Sequence, residues 1–278
     1  METIHSTAVI DPAAALGKDV RVGPYSVIEG DVTIGDRCVI GPRVSILAHT
    51  TLGSGCRIHA NAVLGDIPQD TGFDGATTYL RVGNDTIIRE GASIHRGTSE
   101  GTATVVGDRC MLMSNSHFAH NVELGNDVNV VSGALLGGYV VVGDRAFISG
   151  NCVIHQFVRI GRMAMISGGC GVTKDVPPFT TLLPVSLNTI GGLNVVGMRR
   201  AGLSAPERQL VKEAFRILFL SGLTMSQAVA RVRESLEGDL IVEICDFIEA
   251  SSRGVCSGRR MQSEGESTRP GSRDSLSR

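Results

Sequence analysis

The sequence predicts a mainly β fold, a parallel β-helix of six-residue repeats, followed by a small C-terminal α-helical domain. Three observations predict it. Every sixth residue from Ile4 to Val172 is a large apolar one, broken only at Asp70, Ala76 and Glu100. The residue after that position is glycine at 23, 35, 41, 53, 65, 83, 107, 125, 137, 143 and 161. Beyond the prolines of KDVPPFTTLLP the period changes, and helix-capping signals take its place.

A period of six fits neither the helix repeat nor strand alternation. It suits a short strand and a turn with one aliphatic side chain pointing inward, so that three segments close a triangle and eighteen residues make one coil. Stacked coils bury a continuous column of Ile, Leu and Val. Each rung contributes about 1.5–3 kcal/mol, an upper estimate because the unfolded chain is not fully extended. Glycine beside the rung suits a backbone that turns sharply. The absence of Trp and an aromatic content of 4% fit a narrow aliphatic column. The boundaries expected are a β-helix over 1–186, a helical domain over 187–250 and a disordered tail over 251–278, polar and poor in hydrophobics.

Taken in order, residues 1–64 are unbroken rungs. GDIPQDTGFDGATTYLR interrupts them between Leu64 and Val82, and RGTSEGTATV interrupts them again after His95. Irregular loops on a rigid scaffold are where binding residues concentrate, so both are expected to wall a site. Rungs resume from Val106 to Val172. The spacing then predicts a short helix over Ile190–Arg200. Ser204 with Glu207 and Thr224 with Gln227 form capping boxes ahead of two further helices, Gly222 and Gly238 read as stops, and DLIVEICDFIEA supplies a last amphipathic segment.

The net charge of −2 argues against nucleic acid or a membrane surface as the main partner. No run approaches the roughly 18 apolar residues of a membrane span, so no stable membrane insertion is expected. METIHSTAVIDPAAALG lacks the basic start and apolar run of a signal peptide, which leads to the expectation of a cytoplasmic protein. Five of the seven cysteines, Cys38, Cys56, Cys110, Cys152 and Cys170, lie four residues after a rung, where small buried side chains belong. There is no CxxC pair, and no bound metal is expected.

Chemistry is expected where residues depart from the scaffold. Eighteen residues apart, His120, Gly138 and Gln156 fall in one column, with coils about 4.8 Å apart, and His155 sits beside its end. A histidine over a bare glycine is an acid/base pocket; the competing reading is a solvated or packing histidine. The remaining histidines at 5, 49 and 59 are expected to face solvent.

The ordered set NSHFAHNVELG, VIHQF, IPQD, IHRGT, KDVPP and LNVVGMRRAG resembles the acyl carrier protein:UDP-N-acetylglucosamine O-acyltransferases of lipid A biosynthesis, over residues 1 to about 250. That family folds as the hexapeptide-repeat left-handed parallel β-helix and forms homotrimers with the active site between neighbouring prisms. The resemblance implies His120 as general base toward the sugar 3-hydroxyl and the Gly138 N–H as oxyanion donor. It implies that Gln156 and His155 line the acyl and pantetheine side, and that Asp70, Gln69 and His117 contact the sugar or the acyl hydroxyl. Asn194 and Arg200 would reach the nucleotide or the phosphopantetheine, and Gly168 would leave the acyl groove open to a longer chain. The partners implied are acyl carrier protein and UDP-N-acetylglucosamine; no cofactor is implied beyond the donor's own phosphopantetheine.

Five departures stand against the family pattern: Asn121 for an Asp, Tyr139 for a His, Gly72 for a Lys, Val196 for a Glu and Ala201 for an Arg. They leave open a 3-amino analogue of the sugar, or another acceptor. His117, three residues before His120, also leaves open a zinc site like that of the β-helical carbonic anhydrases. A non-catalytic scaffold is the remaining alternative.

Overall fold

The computed structural model describes residues 3–258. They form a left-handed parallel β-helix that carries four helices at its C-terminal end. The β-helix is a three-sided prism. Sheet one holds nine strands from Val9–Ile10 to Gly171–Val172, and sheet two holds eight from Ala15–Leu16 to Arg159–Ile160. Sheet three starts at Arg21–Val22 and holds eleven. Most strands are two residues long, and the second is the rung: Ile34, Leu52, Leu112, Leu136, Ile148 and Ile166 are all 1% exposed or less. The strict six-residue count is therefore one inward side chain per strand, as the periodicity predicts.

Strand partners lie eighteen residues apart through most of the prism, as in Val9 with Val27 and Leu136 with Ile154. Two coils are longer. Leu64 pairs with Ile94 and Ile58 with Ile88, thirty residues apart. Ser93 pairs with His117, and Val82 with Val106, twenty-four apart. Both insertions leave the same corner, between sheet one and sheet two, after Val63–Asp66 and after Ser93–His95. Because each is a multiple of six, the rung register survives them.

The glycines beside the rungs do a different job from the one expected. Of the eleven positions, only Gly65 has a positive φ, at 80°. The left-handed residue lies three after the rung, at Tyr25, Arg37 and Tyr139, with φ of 59°, 58° and 59°. What the position after the rung requires is close approach: a Cβ on Gly35 would lie 2.6 Å from the Ser54 nitrogen of the next coil. The five in-phase cysteines are buried and free. Each thiol donates to a carbonyl of the following coil, as Cys38 does to Gly53 O at 3.1 Å and Cys110 to Gly125 O at 3.2 Å. Burial pushes the Cys110 thiol up to about 11, which keeps it unreactive.

The C-terminal part departs from the expected boundaries. Ile190–Leu193, expected as the start of a helix, belongs to the strand Thr189–Leu193, antiparallel to Thr180–Leu182. Gly191 and Gly192 are poor helix formers, and Ile190 is buried opposite Leu182. The helix α1 (Val195–Arg200) begins only after Asn194, whose side chain caps it. Both capping boxes are formed, ahead of α2 (Ala205–Leu220) and α3 (Met225–Ser235). Gly222 follows α2 in the left-handed region, whereas Gly238 is the N-cap of α4 (Asp239–Glu249) rather than a stop.

The expected tail is also partly ordered. Ser257–Gly258 pairs with the strand Thr189–Leu193, Cys256 N–H donates to Asp175 O at 2.8 Å, and Cys256 is fully buried. Cysteine and a polar backbone with a ready-made sheet edge beside them explain this return to the prism. The rest of the expected tail, 259–278, lies outside the described residues. The helices share a second core, built on Val211, Ala214, Val232 and Ile244, which takes in Met163 and Phe179 from the prism; Arg162 and Glu243 tie the two parts at 2.6 Å.

Candidate active site

The site is built on the corner between sheets one and two, opposite sheet three. This corner repeats once per coil as Ala119–Val122, then 137–140, then 155–158, so His120, Gly138 and Gln156 stack as the eighteen-residue count predicts. The left-handed third residues stack too: Tyr139 lies on Phe157 with ring centroids 5.0 Å apart, and the His120 ring meets Tyr139 edge-on at 5.3 Å. Gly138 is what makes room for the imidazole. A Cβ there would lie 2.4 Å from His120 Cε1 and 2.6 Å from Nε2. Among the described residues the Gly138 N–H donates to no protein group, so a free backbone donor lies beside the ring.

The two insertions close over this corner. From the first, Asp70 brings Oδ2 to 3.9 Å from His120 Nε2. Its other oxygen accepts the Gly72 N–H at 2.8 Å, which fixes the carboxylate in the loop. Gln69, next to it, is exposed. From the second, Thr98 meets Asn121: its N–H donates to Asn121 Oδ1 at 3.1 Å and its hydroxyl lies 2.9 Å from the same oxygen. That oxygen is also 3.1 Å from His120 Nδ1. The His120 side chain is 12% exposed, open enough for a substrate and too enclosed for bulk water to surround it.

His117 faces outward from sheet one, beside Ser93 Oγ at 2.9 Å and against the His95 ring at 5.2 Å. Burial, reinforced by His95, holds its imidazole below the ordinary range, which favours the neutral form. His95 is buried, and its Nδ1 donates to Ile67 O at 2.6 Å, which anchors the neck of the first insertion. Neither His95 nor Thr98 falls out of an eighteen-residue count. Counted as twenty-four, His95 falls beside Ala119, next to the column, and Thr98 lies within the insertion itself, where no count reaches. His155 and Gln156 are exposed at the next coil, with His155 Nδ1 3.1 Å from Gln156 O. Among the described residues no three His, Cys, Asp or Glu side chains converge as ligands for a metal ion.

The structure therefore brings together His120, Gly138, Asp70, Gln69, His155 and Gln156 on one corner, with His117 on the adjoining face. It does not bring Asn194, Arg200 or Gly168 to them. Asn194 and Arg200 line a cleft of about 510 Å³ against sheet three, with Asn129, Phe147, Met165 and Arg145. Sheet three is the side of the triangle opposite the His120 corner. Asn194 is largely committed to structure: Oδ1 accepts the Gly197 N–H at 2.9 Å, and Nδ2 donates to Met163 O at 2.8 Å. Gly168 lies on the corner between sheets three and one, where an added Cβ would meet only Gly150 O, at 3.7 Å.

A left-handed parallel β-helix built of six-residue repeats places the chain among the hexapeptide-repeat transferases. Comparison with known proteins agrees. Residues 13–46, 31–66 and 103–138 match the bacterial transferase hexapeptide family, and residues 175–256 match the family described as UDP N-acetylglucosamine O-acyltransferase, domain 2. The chain is 40% identical to the acyl-[acyl-carrier-protein]–UDP-N-acetylglucosamine O-acyltransferase of Thermodesulfovibrio yellowstonii over 258 residues, 92% of this chain and 100% of that one. It is 41% identical to that of Alkalilimnicola ehrlichii, over 92% and 99% of the two chains. Among solved structures, the UDP-N-acetylglucosamine acyltransferase of Bacteroides fragilis superposes with a TM-score of 0.86 at 35% identity, covering 90% of this chain and 98% of that one. That of Campylobacter jejuni gives 0.86 at 34%, covering 92% and 100%. The chain belongs to the acyl-[acyl-carrier-protein]–UDP-N-acetylglucosamine O-acyltransferase family.

Proposed function

We propose that this protein transfers a 3-hydroxyacyl group from acyl carrier protein to the 3-hydroxyl of UDP-N-acetylglucosamine, the first step of lipid A biosynthesis. The observation that carries the reading is the His120 ring over Gly138, with Nδ1 engaged by Asn121 and Nε2 open toward Asp70. Nε2 takes the proton as the sugar oxygen attacks the thioester carbon. An imidazole is the side chain best suited to take and return a proton near neutral pH. The charge that develops on the carbonyl oxygen meets the Gly138 N–H, and the Asp70 carboxylate faces the imidazolium. Collapse of the tetrahedral intermediate forms the ester and breaks the C–S bond, and the departing thiol of the carrier takes back the proton held by His120.

The reading includes a homotrimer. The corner carrying His120 and the cleft carrying Asn194 and Arg200 lie on opposite sides of one prism, so a single chain does not surround a sugar nucleotide. A neighbouring copy that sets its sheet-three side against this corner supplies the missing half. Exposed Leu135 and Val153, stacked outward on sheet one beside the corner, supply apolar surface for such packing. His155 and Gln156 line the donor side, Gln69 and His117 the sugar side, and Gly168 of a packed copy leaves space for the acyl chain. The acyl carrier protein docks transiently. The donor brings its own phosphopantetheine, and the reading asks for no other group. Both substrates are soluble, so the reaction is a cytoplasmic one; among the described residues no helix is long and apolar enough to cross a membrane.

A second reading, acylation of the 3-amino analogue of the sugar, is favoured by one observation. The group that holds His120 Nδ1 is an uncharged amide. An amine attacks a thioester with less help from a base than a hydroxyl needs. Acyl transfer from a set of 3-hydroxyacyl carrier proteins to both sugars, with His120→Ala in parallel, separates the readings. Transfer to the hydroxyl sugar that falls by about 10²–10⁴ in the variant supports the first. Transfer to the amino sugar alone selects the second, and transfer to neither by a folded trimer refutes both.

A further inference from the structure

The second insertion reaches the catalytic histidine through one side chain, and the hydrogen-bond roles in that contact are fixed by chemistry. A backbone N–H only donates. The Asn121 atom 3.1 Å from the Thr98 nitrogen is therefore the amide oxygen and not the NH2 group. That same oxygen lies 3.1 Å from His120 Nδ1. An oxygen in this position accepts, so Nδ1 carries the proton and Nε2 keeps its lone pair. The Thr98 hydroxyl spends its own hydrogen on Asn121 Oδ1 at 2.9 Å, and Thr98 Oγ1 then receives the Tyr139 hydroxyl at 2.8 Å. Every donor in the chain points the same way, from Tyr139 to Thr98 to Asn121, with His120 donating from the other side.

Asn121 has little freedom to change this arrangement. It is buried, its φ is 58°, and its own N–H donates to Thr104 Oγ1 at 2.8 Å. Rotation of its amide by half a turn would set the NH2 group against the Thr98 N–H and leave a half-buried donor unpaired, at a cost set by desolvation. The loop Gly97–Thr102 is itself held, since Gly97 N–H donates to Tyr79 O and Gly101 N–H to Thr77 O.

We infer that Thr98 is a positioning residue for the general base: by clamping the Asn121 amide oxygen, it locks His120 in the tautomer that leaves Nε2 free to take a proton. The inference rests on His120 being the base, as proposed above, but the lock itself belongs to the resting protein. In this chain an amide does the orienting, and it does so only because a loop donor decides which end of the amide faces the imidazole. A carboxylate would accept with either oxygen and would need no clamp.

The test is the ¹⁵N spectrum of histidine-labelled full-length protein, without substrate, for the parent, Thr98→Val, Thr98→Ser and Asn121→Asp, with kcat and KM beside it. The parent and Thr98→Ser should show His120 protonated at Nδ1. Thr98→Val keeps the shape and the backbone donor but loses the hydroxyl. It removes one of the two donors on Asn121 Oδ1 and leaves the backbone N–H in place, so it should show a minor share of the Nε2–H tautomer and a kcat lowered a few fold, with KM little changed. Asn121→Asp on the Thr98→Val background should restore the Nδ1–H form, because either carboxylate oxygen accepts. A parent protonated at Nε2, or a Thr98→Val protein with unchanged spectrum and kcat, overturns the inference. If the parent lacks acyl transfer altogether, the spectra still decide the lock, so failure of the proposed function is told apart from failure of this inference.

Discussion

Replacing Gly138 by alanine should abolish most of the activity while leaving the fold in place. The added Cβ would lie 2.4 Å from His120 Cε1 and 2.6 Å from Nε2, where ordinary contact begins near 3.4 Å. The imidazole must retreat by about 1 Å, and a misplacement of that size costs about 10²-fold in rate, equivalent to about 2.7 kcal/mol of barrier. The three nearest atoms to the new methyl all belong to this one ring, which is the mobile end of a side chain rather than backbone. Gly138 is not in the left-handed region, so alanine fits its backbone conformation. Reduced freedom of the unfolded chain contributes about 0.4–1 kcal/mol in favour of the variant. The assay is kcat and KM for acyl transfer beside thermal unfolding. A kcat down about a hundredfold with a Tm within a few degrees of the parent is expected. A kcat within threefold of the parent would show that the ring does not need its place over Gly138.

Two other substitutions test the scaffold and its pH response. Ile148→Ala removes a fully buried rung side chain and should cost about 2–5 kcal/mol in denaturant unfolding, with kcat at low temperature unchanged; a loss under about 1 kcal/mol would mean the column can collapse around the gap. His117 titrates below its ordinary 6.5 because burial and His95 disfavour its charged form, so below that value the unfolded chain binds more protons and stability falls as pH drops through it. His117→Gln removes that contribution. The denaturation midpoint of the parent should therefore drop more than that of the variant between about pH 7.5 and about pH 5.5, and equal drops would contradict the assignment.

Most of the scaffold is legible in the sequence because each short strand has one inward position, and a wrong residue there leaves a hole or a buried polar group. Ile34, Leu112 and Ile166 announce themselves by spacing alone. The His120, Gly138 and Gln156 column is legible for the same reason, since it lies beyond both insertions, where the coil is eighteen residues. His95 and Thr98 are not, because the six-residue insertion sets His95 beside Ala119, a shift hidden by a count that keeps the rungs in register, and Thr98 lies within the insertion, outside any repeat. The division of Asn194 and Arg200 from His120 is not legible either: which of three sides a residue takes depends on the whole path of the chain. Ile190–Leu193 reads as the start of a helix from its spacing, and only the sheet edge beside it turns it into a strand. Ser257–Gly258 reads as tail because its partner edge is distant in sequence.

The insertion that carries Thr98 also offers a deletion that separates scaffold from site. A regular corner has four residues between rung strands, as in Ala119 to Val122, whereas His95 to Thr104 has ten before the paired Val105 and Val106. Removing Gly97–Thr102 leaves His95, Arg96, Ala103 and Thr104, four residues with the buried Thr104 still in the phase occupied elsewhere by cysteine. Ala103 would then take the third, left-handed place, so the deletion is best made with Ala103→Asn, which tolerates that conformation. Rung register is unchanged, because the excised length is one repeat. The shortened protein should fold as a β-helix of the same oligomeric state, as read by circular dichroism and mass. It should lack most of its acyl transfer, having lost the Thr98 clamp together with the bonds from Glu100 and Gly101 that hold Thr77 in the first insertion. Comparison with Thr98→Val divides these losses: a deletion no worse than the point variant assigns the effect to the clamp. Full activity in the deletion would mean that the loop serves neither the histidine nor its neighbours. A protein that fails to fold would mean that the insertion is part of the scaffold rather than an addition to it.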